Sequence, residues 1–372
     1  MSKTIYLGAA GLACKVKRFY LGVGGAARKI KRAYVGVADK AATCYRAGGY
    51  QYYGAIGSLR EHRWSYVACS TGETGIFAAG YNNSGKPTTS IEAYNDTLTA
   101  QTTDFPMEMD QPACGSCDGY ALVFGGNYGY EKNTRIVCIP DTLELTYSYA
   151  WPSSVYTRQA CISNGVHGIG GLGNYASASC TRVGAASRDC TFTELTAPPS
   201  TALPSIGLRF GNRAMFLRTG KNIYTYDQNL VLQTAAMSDG DVDARATVGE
   251  KYFVFSSGLD YSQNGNQLDR IQGIAYDRDL VRLTPVELYS ANKSYRCAAS
   301  ADSYALLACH GNYVSPNQMH RVDDNLVFTK MDNPMRAGEL GSDYASVRAG
   351  EYVLVMDSTG GYGSDTLHAF ID

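Results

Sequence analysis

Short apolar runs bounded by turn residues recur along the chain, most clearly between residues 120 and 143. The run Tyr120–Phe124 ends in the pair Gly125-Gly126, and a second run, from Arg135 to Ile139, ends in the turn Pro140-Asp141-Thr142. Both runs are short and rich in β-branched and aromatic residues, which is typical of buried strands. The glycines favour the positive φ that a strand end needs. The stretch therefore predicts two neighbouring strands of one repeat.

The same unit recurs seven times when the chain is aligned on the first run. The matches cover residues 77–81, 123–128, 169–175, 215–220, 254–258, 306–313 and 353–362. The turn leucine recurs as Leu98, Leu143, Leu230, Leu280 and Leu326, and we assign the third slot to Phe192. A period of about 40–50 residues made only of short strands is typical of a β-propeller with one four-stranded blade per repeat. The sequence predicts an all-β, seven-bladed propeller, and an open sandwich of irregular hairpins is the alternative.

The last repeat ends without an outer strand, because the chain stops after Leu367–Ile371. We expect Tyr52–Leu59, just before the first complete repeat, to supply that strand. Such pairing would close the ring and remove exposed strand edges.

The first 46 residues follow a different repeat, with a period of 14. Tyr6, Tyr20 and Tyr34 recur in phase, and so do Arg18, Arg32 and Arg46. Each unit reads as two short strands around a turn, which predicts a hairpin. The chain therefore divides into a hairpin-repeat arm (1–46) and a propeller (47–372), in which residues 47–63 form the linker and the ring-closing strand.

Charge separates these two parts, although the net charge of all 372 residues is only −1. Residues 1–46 hold 10 Lys and Arg against one acid, Asp39, which gives +9; the remainder holds 33 − 10 = 23 basic and 34 − 1 = 33 acidic residues, which gives −10. Isolated hairpins are marginally stable, so the arm needs a partner surface. We favour docking onto an acidic protein scaffold over nucleic-acid binding or a merely solvated extension.

No run of 18 apolar residues and no apolar segment typical of a signal peptide occurs. We therefore expect no membrane span and synthesis in the host cytoplasm. The eleven cysteines are expected to be reduced core residues, and the single Cys114-Gly115-Ser116-Cys117 motif lacks a second pair at zinc spacing. We expect neither a metal nor a cofactor.

Tyrosines follow the first run in six of the seven repeats. They are Tyr81, Tyr128, Tyr175, Tyr261, Tyr313 and Tyr362, and the fourth repeat lacks one. In a propeller these loops open on one face, where tyrosines suit stacking on sugars or protein contacts. We treat the six as candidate ligand-binding residues; the alternative is that each packs on its neighbouring blade.

Catalytic motifs are absent: the chain has no Gly-x-Ser-x-Gly, phosphate loop or HExxH. We name no catalytic residue and expect no enzyme. Loop acids such as Asp260, Asp269 and Asp365 leave glycan hydrolysis or elimination open.

The tandem Tyr-[Leu/Val]-Gly unit, with Ala seven and Arg twelve residues after its tyrosine, resembles repeats that open tail-associated structural proteins of phages and prophages of Gram-positive gut bacteria. The third copy departs at Asp39-Lys40 and Thr43-Cys44-Tyr45. The remainder is similar to kelch-type propellers in its glycine pairs and period, without their usual tryptophan.

The resemblance implies a virion protein whose arm attaches to other tail or baseplate proteins and whose propeller faces a host-surface glycan or protein. It also implies a homo-oligomer in the particle. A glycan hydrolase or lyase and a kelch-like interaction adaptor are the alternatives.

Overall fold

The chain is built from β-strands in the computed structural model, and none of the residues that it describes is helical. None of these residues accordingly forms a helix long and apolar enough to cross a membrane. The described residues are 6–9, 12–15, 20–23, 26–29, 32–37, 40–46, 51–61, 63–64, 66–82, 84–109, 112–128, 131–132, 134–152, 161–174, 177–198, 206–218, 222–236, 241–258, 271–289, 294–310, 318–332, 345–357 and 366–371.

Three two-stranded hairpins form the arm, as the 14-residue repeat predicts. Their strands are β1 (Tyr6–Ala9) with β2 (Leu12–Lys15), β3 (Tyr20–Val23) with β4 (Ala26–Lys29), and β5 (Arg32–Val37) with β6 (Lys40–Arg46).

Two strands lie between the arm and blade 1 in the sequence: β7 (Gln51–Ser58) and the short β8 (Arg63–Trp64).

Seven four-stranded antiparallel sheets follow in chain order. Blades 1 to 3 and their loops contain β9 (Val67–Ser70), β10 (Gly75–Ala78), β11 (Tyr81–Asn82), β12 (Thr88–Tyr94), β13 (Ala100–Met109), β14 (Ala113–Cys117), β15 (Tyr120–Phe124), β16 (Asn127–Tyr128), β17 (Glu131–Lys132), β18 (Ile136–Pro140), β19 (Thr146–Ser148), β20 (Cys161–Ser163), β21 (Gly168–Asn174), β22 (Ser177–Ala186) and β23 (Phe192–Leu195). Strands β11 and β16–β17 lie in loops and pair outside the blades.

Blades 4 to 7 contain β24 (Ile206–Phe210), β25 (Arg213–Arg218), β26 (Asn222–Tyr226), β27 (Leu232–Ala236), β28 (Asp241–Val248), β29 (Tyr252–Gly258), β30 (Ile271–Asp277), β31 (Val286–Tyr289), β32 (Ser294–Ser300), β33 (Tyr304–His310), β34 (Gln318–Asp323), β35 (Phe328–Asp332), β36 (Ala345–Ala349), β37 (Tyr352–Asp357) and β38 (Thr366–Ile371). The first strands of successive blades contact one another in the order β9, β14, β20, β24, β28, β32, β36 and back to β9. The seven-bladed ring predicted from the repeats is confirmed.

The ring closes through a strand from before the first blade, as predicted. Strand β7 pairs antiparallel with β38 as the fourth strand of blade 7, from Gln51 opposite Ile371 to Ser58 opposite Thr366. The pairing register shifts twice along this pair, between Leu367 and His368 and between Ala369 and Phe370. The outer strand of blade 7 is therefore supplied by β7, which precedes blade 1 in the sequence.

Apolar side chains collect between blades, and each of the seven interfaces has its own buried cluster. At the seam between blades 7 and 1, Phe77 and Tyr94 of blade 1 pack in one cluster with Leu354 and Met356 of blade 7. The second and third strands read as nearly continuous apolar runs because both of their faces are covered by neighbouring blades.

The glycines that end the second strands adopt the expected backbone conformation. Gly125 and Gly126 have φ of 65° and 84°, and in blade 1 the pair Ala79 and Gly80 has 59° and 93°. These angles lie in the left-handed region, which glycine enters without the steric cost that other residues meet.

A buried ion pair holds the ring-closing segment against blade 1. The Arg63 side chain is fully buried, and its guanidinium lies 2.5 Å from a carboxylate oxygen of Glu92, which is also buried. Arg63 donates further bonds to the backbone oxygen and hydroxyl of Ser90. The backbone N–H of Arg60 donates to both carboxylate oxygens of Glu92. The pair thus joins the link after β7 to the third strand of blade 1.

Replacing Glu92 with Gln is expected to destabilise the ring. The substitution leaves the buried charge of Arg63 uncompensated, which costs about 3–5 kcal/mol in comparable cases. Equilibrium denaturation measures the change in unfolding free energy. The matched control is Glu194→Gln, because the Arg182–Glu194 pair is about half exposed on blade 3 and such pairs contribute at most about 1 kcal/mol. Equal losses in both variants would contradict the assigned role of Arg63 and Glu92.

Alkaline pH is expected to weaken the same seam. Burial first, and then the nearby Glu92 carboxylate, raises the pKa of Tyr94 to about 12, whereas an unfolded tyrosine titrates near pH 10. Because the pKa of Tyr94 is higher in the folded than in the unfolded state, its contribution to the unfolding free energy is fully present below about pH 10. That contribution is lost as the pH rises toward 12. Tyr94→Phe should show a shallower loss of stability than the wild type over this range, measured by denaturation at each pH; parallel curves would refute the assignment.

Candidate functional site

The two faces of the ring differ in how they join strands. On the turn face, tight turns join first to second and third to fourth strands, for example 71–74 and 95–99 in blade 1. On the loop face, connections join second to third strands and one blade to the next. Tyr81 and Tyr128 belong to the loop face.

Tyr81 and Tyr128 are the two candidate tyrosines that fall within the described residues. Tyr81 begins β11, is half-buried, and lies opposite Trp64 of β8. Tyr128 ends β16 and pairs with Glu131 of β17. Tyr175, Tyr261, Tyr313 and Tyr362 lie outside the described residues. A shared tyrosine surface therefore stays a prediction.

The loop that carries Tyr81 is held by hydrogen bonds from its own backbone. The side-chain oxygen of Asn82 accepts from the N–H groups of Ser84 and Lys86 at 3.0 and 3.1 Å. The N–H of Thr88 donates to the backbone oxygen of Gly80 at 2.9 Å. Tyr81 thus lies on an ordered loop, which suits a binding residue.

The arm residues occupy equivalent positions in the three hairpins. Tyr6 lies opposite Lys15, Tyr20 opposite Lys29, and Tyr34 opposite Thr43. Arg32 and Arg46 face each other across β5 and β6, while Arg18 lies outside the described residues. The third hairpin has a register shift between Ala33 and Tyr34, in the copy whose sequence departs from the other two.

The arm joins the propeller on the turn face. Strand β38 follows the loop-face connection of blade 7 and so ends, at Ile371, on the turn face. Gln51, the first residue of β7, lies opposite Ile371. The arm root is therefore on the side of the ring opposite to the loops that carry Tyr81 and Tyr128.

Six turns between third and fourth strands share one backbone geometry. In each, the fourth residue donates its N–H to the first residue's backbone oxygen and has a φ of 58° to 64°. The fourth residues are Leu98, Leu143, Cys190, Leu230, Leu280 and Leu326. The third slot is thus Cys190, and our assignment of Phe192 was wrong: Phe192 lies on β23 and packs edge-on against Trp151 with ring centroids 5.1 Å apart.

A side-chain oxygen of the first turn residue stabilises most of these turns. In blade 5, the Asp277 carboxylate accepts from the N–H groups of Asp279 and Val281, both at 2.9 Å. Asp227 and Asp323 do the same in blades 4 and 6, and Asn95 serves in blade 1. The recurring turn aspartates of the sequence are thus explained in part by turn formation.

Polar contacts on the turn face also link successive blades. Thr71 of blade 1 donates to the Asp141 carboxylate of blade 2, and the Asn164 amide of blade 3 donates to the backbone oxygen of Asp227 in blade 4. Lys251 of blade 5 pairs with Asp324 of blade 6 at 3.1 Å. The turn between the first two strands of one blade therefore contacts the outer turn of the next.

Two arginine–aspartate pairs lie near the ring centre on this face. Arg209 of blade 4 reaches past blade 3 to Asp118 of blade 2, at 2.8 Å, and Arg348 of blade 7 pairs with Asp302 of blade 6, at 2.5 Å. A Cβ at Gly165 would lie 2.7 Å from the Arg209 guanidinium. Sequence reasoning missed both arginines; their shared position two residues before Gly211 and Gly350 was the available signal.

Carboxylates are more common than cations in the turns of this face. Turns between first and second strands carry Glu73, Asp118, Glu250, Asp302 and Glu351. Outer turns carry Asp96, Asp141, Glu144, Asp189, Asp227, Asp277, Asp279, Asp323 and Asp324. The same turns hold only Arg188, Lys251, Arg278 and Arg282, although Arg209, Arg213 and Arg348 reach them from adjacent strands. The turn face is acidic.

The cysteines of the described blades behave as core residues. Cys114 donates to the backbone oxygen of Ala68, whereas Cys117 contacts the Ser163 hydroxyl, so the two are not partners. Burial raises the pKa of Cys117 to about 11 and that of Cys138 to about 12, which keeps both thiols protonated and unreactive. No group of three or more His, Cys, Asp or Glu in the described part could hold a metal ion.

By sequence, the chain matches no protein-family model and no curated protein. By structure it is similar to virginiamycin B lyase from Staphylococcus aureus, with TM-score 0.52, 10% identity, and coverage of 87% of this chain and 99% of that chain. It is also similar to U3-55K (TM-score 0.54, 9% identity, 85% and 98% coverage) and to the WD40 β-propeller domain of Doa1 (0.51, 10%, 87% and 97%). At these identities the likeness shows the propeller fold.

Replacing Asp277 with Ala should destabilise the blade 5 turn by about 1 kcal/mol, since two backbone N–H groups lose their carboxylate acceptor. Thermal unfolding measures the loss. Asp277→Asn is the control: it keeps the acceptor, as Asn95 does in blade 1, and should unfold close to the wild type. A control as unstable as the alanine variant would show that charge, and not turn bonding, is the important property.

Proposed function

We propose that the chain is a phage tail structural protein that is anchored by its basic arm and presents the loop face of its propeller to the host surface. The propeller fold suits binding of a protein or another ligand. The observation behind this proposal is the position of the arm root, where Gln51 lies opposite Ile371 on the turn face. A propeller anchored from that side presents its loop face outward.

The two parts of the proposal rest on different chemistry. The arm, at +9, and its regular hairpins suit an acidic protein partner in the tail or baseplate. The loops, with their tyrosines, asparagines and glycines, suit a surface glycan or protein. Attachment and recognition would then use opposite sides of one ring, and copies assembled in a particle could display several loop faces at once.

Recognition is tested with the full-length protein, host cells and purified wall polysaccharide. We expect binding to both, and we expect Tyr128→Ser together with Tyr362→Ser to weaken it about tenfold, the effect of losing about 1.4 kcal/mol of contact energy. Tyr147→Ser is the control, because Tyr147 is 48% exposed on the outer strand β19 and lies outside the loops that join second to third strands.

Three outcomes distinguish host-surface recognition from glycan cleavage. Binding that depends on the loop tyrosines supports recognition. Absence of binding to cells and polysaccharide refutes recognition. Release of oligosaccharide from the polysaccharide during incubation would replace a binding role with glycan cleavage.

A further inference from the structure

We propose that the basic arm (residues 1–46) docks on the acidic turn face of its own propeller. This inference goes beyond attachment to a particle and stands without it. It concerns an interaction between two parts of one chain, and its partner is therefore fully defined.

Charge complementarity is the first argument. Several turn-face carboxylates have no hydrogen bond or ion pair from another described side chain: Asp96, Glu144, Glu250, Asp279 and Glu351. All except Asp96, which is half-buried, are exposed. No side chain in the described part of the chain pairs with these charges, and we infer that they are available to the arm's ten Lys and Arg.

An apolar component accompanies the charge. Val231, Val281 and Val327 follow the left-handed turn residue in blades 4, 5 and 6, and they are 54%, 57% and 52% exposed. The arm alternates apolar and basic residues, as in Lys15-Val16-Lys17 and Lys29-Ile30-Lys31. A surface that offers both carboxylates and valines matches that alternation better than a purely acidic surface would.

The short link between the arm and the propeller keeps the arm close to the turn face. Residues 47–50 are the only link between β6 and β7, and four residues span at most about 14 Å. The link contains Gly48-Gly49, which allows the chain to turn back across the face. A link of this length keeps the arm near the face at an effective concentration in the millimolar range, so weak contacts are enough to keep the arm on its own propeller.

The low stability of isolated hairpins favours docking of the arm. Each unit is a two-stranded hairpin, which is marginal in water without a surface to pack on. The nearest surface to the arm root is the turn face. Docking there also means that an acidic external partner must displace the turn face before it can bind the arm.

Zero-length carbodiimide cross-linking of the full-length protein tests the inference. A mixture of unlabelled and ¹⁵N-labelled chains, analysed by mass spectrometry, distinguishes links within a chain from links between chains. We expect Lys15, Lys17, Lys29 and Lys31 to link to turn-face acids within one chain, and we expect the yield to fall severalfold at 1 M salt because screening weakens exposed charge pairs.

The matched variants use acids that the fold does not need. Glu250→Gln, Asp279→Asn and Glu351→Gln together should reduce the arm's links to the unchanged Asp96 and Glu144 at least threefold. Asp104→Asn with Glu108→Gln on the outer strand β13 should leave those links unchanged. Scoring only unchanged acids prevents the loss of a cross-linking target from being mistaken for loss of docking.

Links between labelled and unlabelled chains in place of links within a chain would overturn the inference and assign the turn face to a second copy. Arm links confined to acids elsewhere, or no arm links, would also overturn it. Attachment to particles is measured separately, by co-sedimentation with purified tails, so that either idea can fail alone.

Discussion

Pairing of β7 with β38 is the constraint on which the rest of the structure depends. Each interface cluster contains residues of two blades, and the last blade contains a strand from before the first. The closing pair joins residues more than 300 positions apart, so a large loop-closure entropy opposes it. The buried Arg63–Glu92 pair lies at this seam. A fully buried salt bridge contributes little net stability compared with a well-packed apolar pair, but removal of one partner is strongly destabilising because the other charge stays buried.

Much of the ring could be predicted from the sequence, because periodic burial leaves a periodic pattern. The second strands are covered on both faces and therefore appear as apolar runs such as Tyr120–Phe124. The closing strand was predictable because the last repeat lacked a partner. Cys190 was missed for a physical reason: the left-handed turn position holds Leu in five blades and Cys190 in blade 3, where the Cys190 side chain packs into the interface, so residue type alone does not mark it. Long-range side-chain pairs, such as Arg209 with Asp118, leave no local signal beyond their position before a turn glycine.

The candidate site was less predictable than the fold. Tyrosine in a repeated slot can be explained by repetition of packing as well as by ligand binding, and Tyr81 illustrates both, since it is half-buried and lies on a loop. Two arginines at the third strands of blades 2 and 3 make local contacts. Arg182 pairs with Glu194, and Arg135 donates to the Tyr149 hydroxyl and lies over its ring. Whether equivalent side chains of different blades meet at one site depends on the geometry of the blades. The repeat period of the sequence does not reveal that geometry.

Identity near 10% with other propellers follows from how this fold is stabilised. Each interface requires apolar side chains of suitable volume between two sheets, and many combinations meet that requirement. Backbone bonding within the turns adds a second requirement that Asp, Asn and Ser all satisfy. Neither requirement restricts the loop face or the unused carboxylates of the turn face. The ring itself does not need two features of this chain: a +9 arm rooted on an acidic face, and, on the opposite side, loops that carry Tyr81 and Tyr128. Function must be sought in that asymmetry, since the ring itself is compatible with many roles.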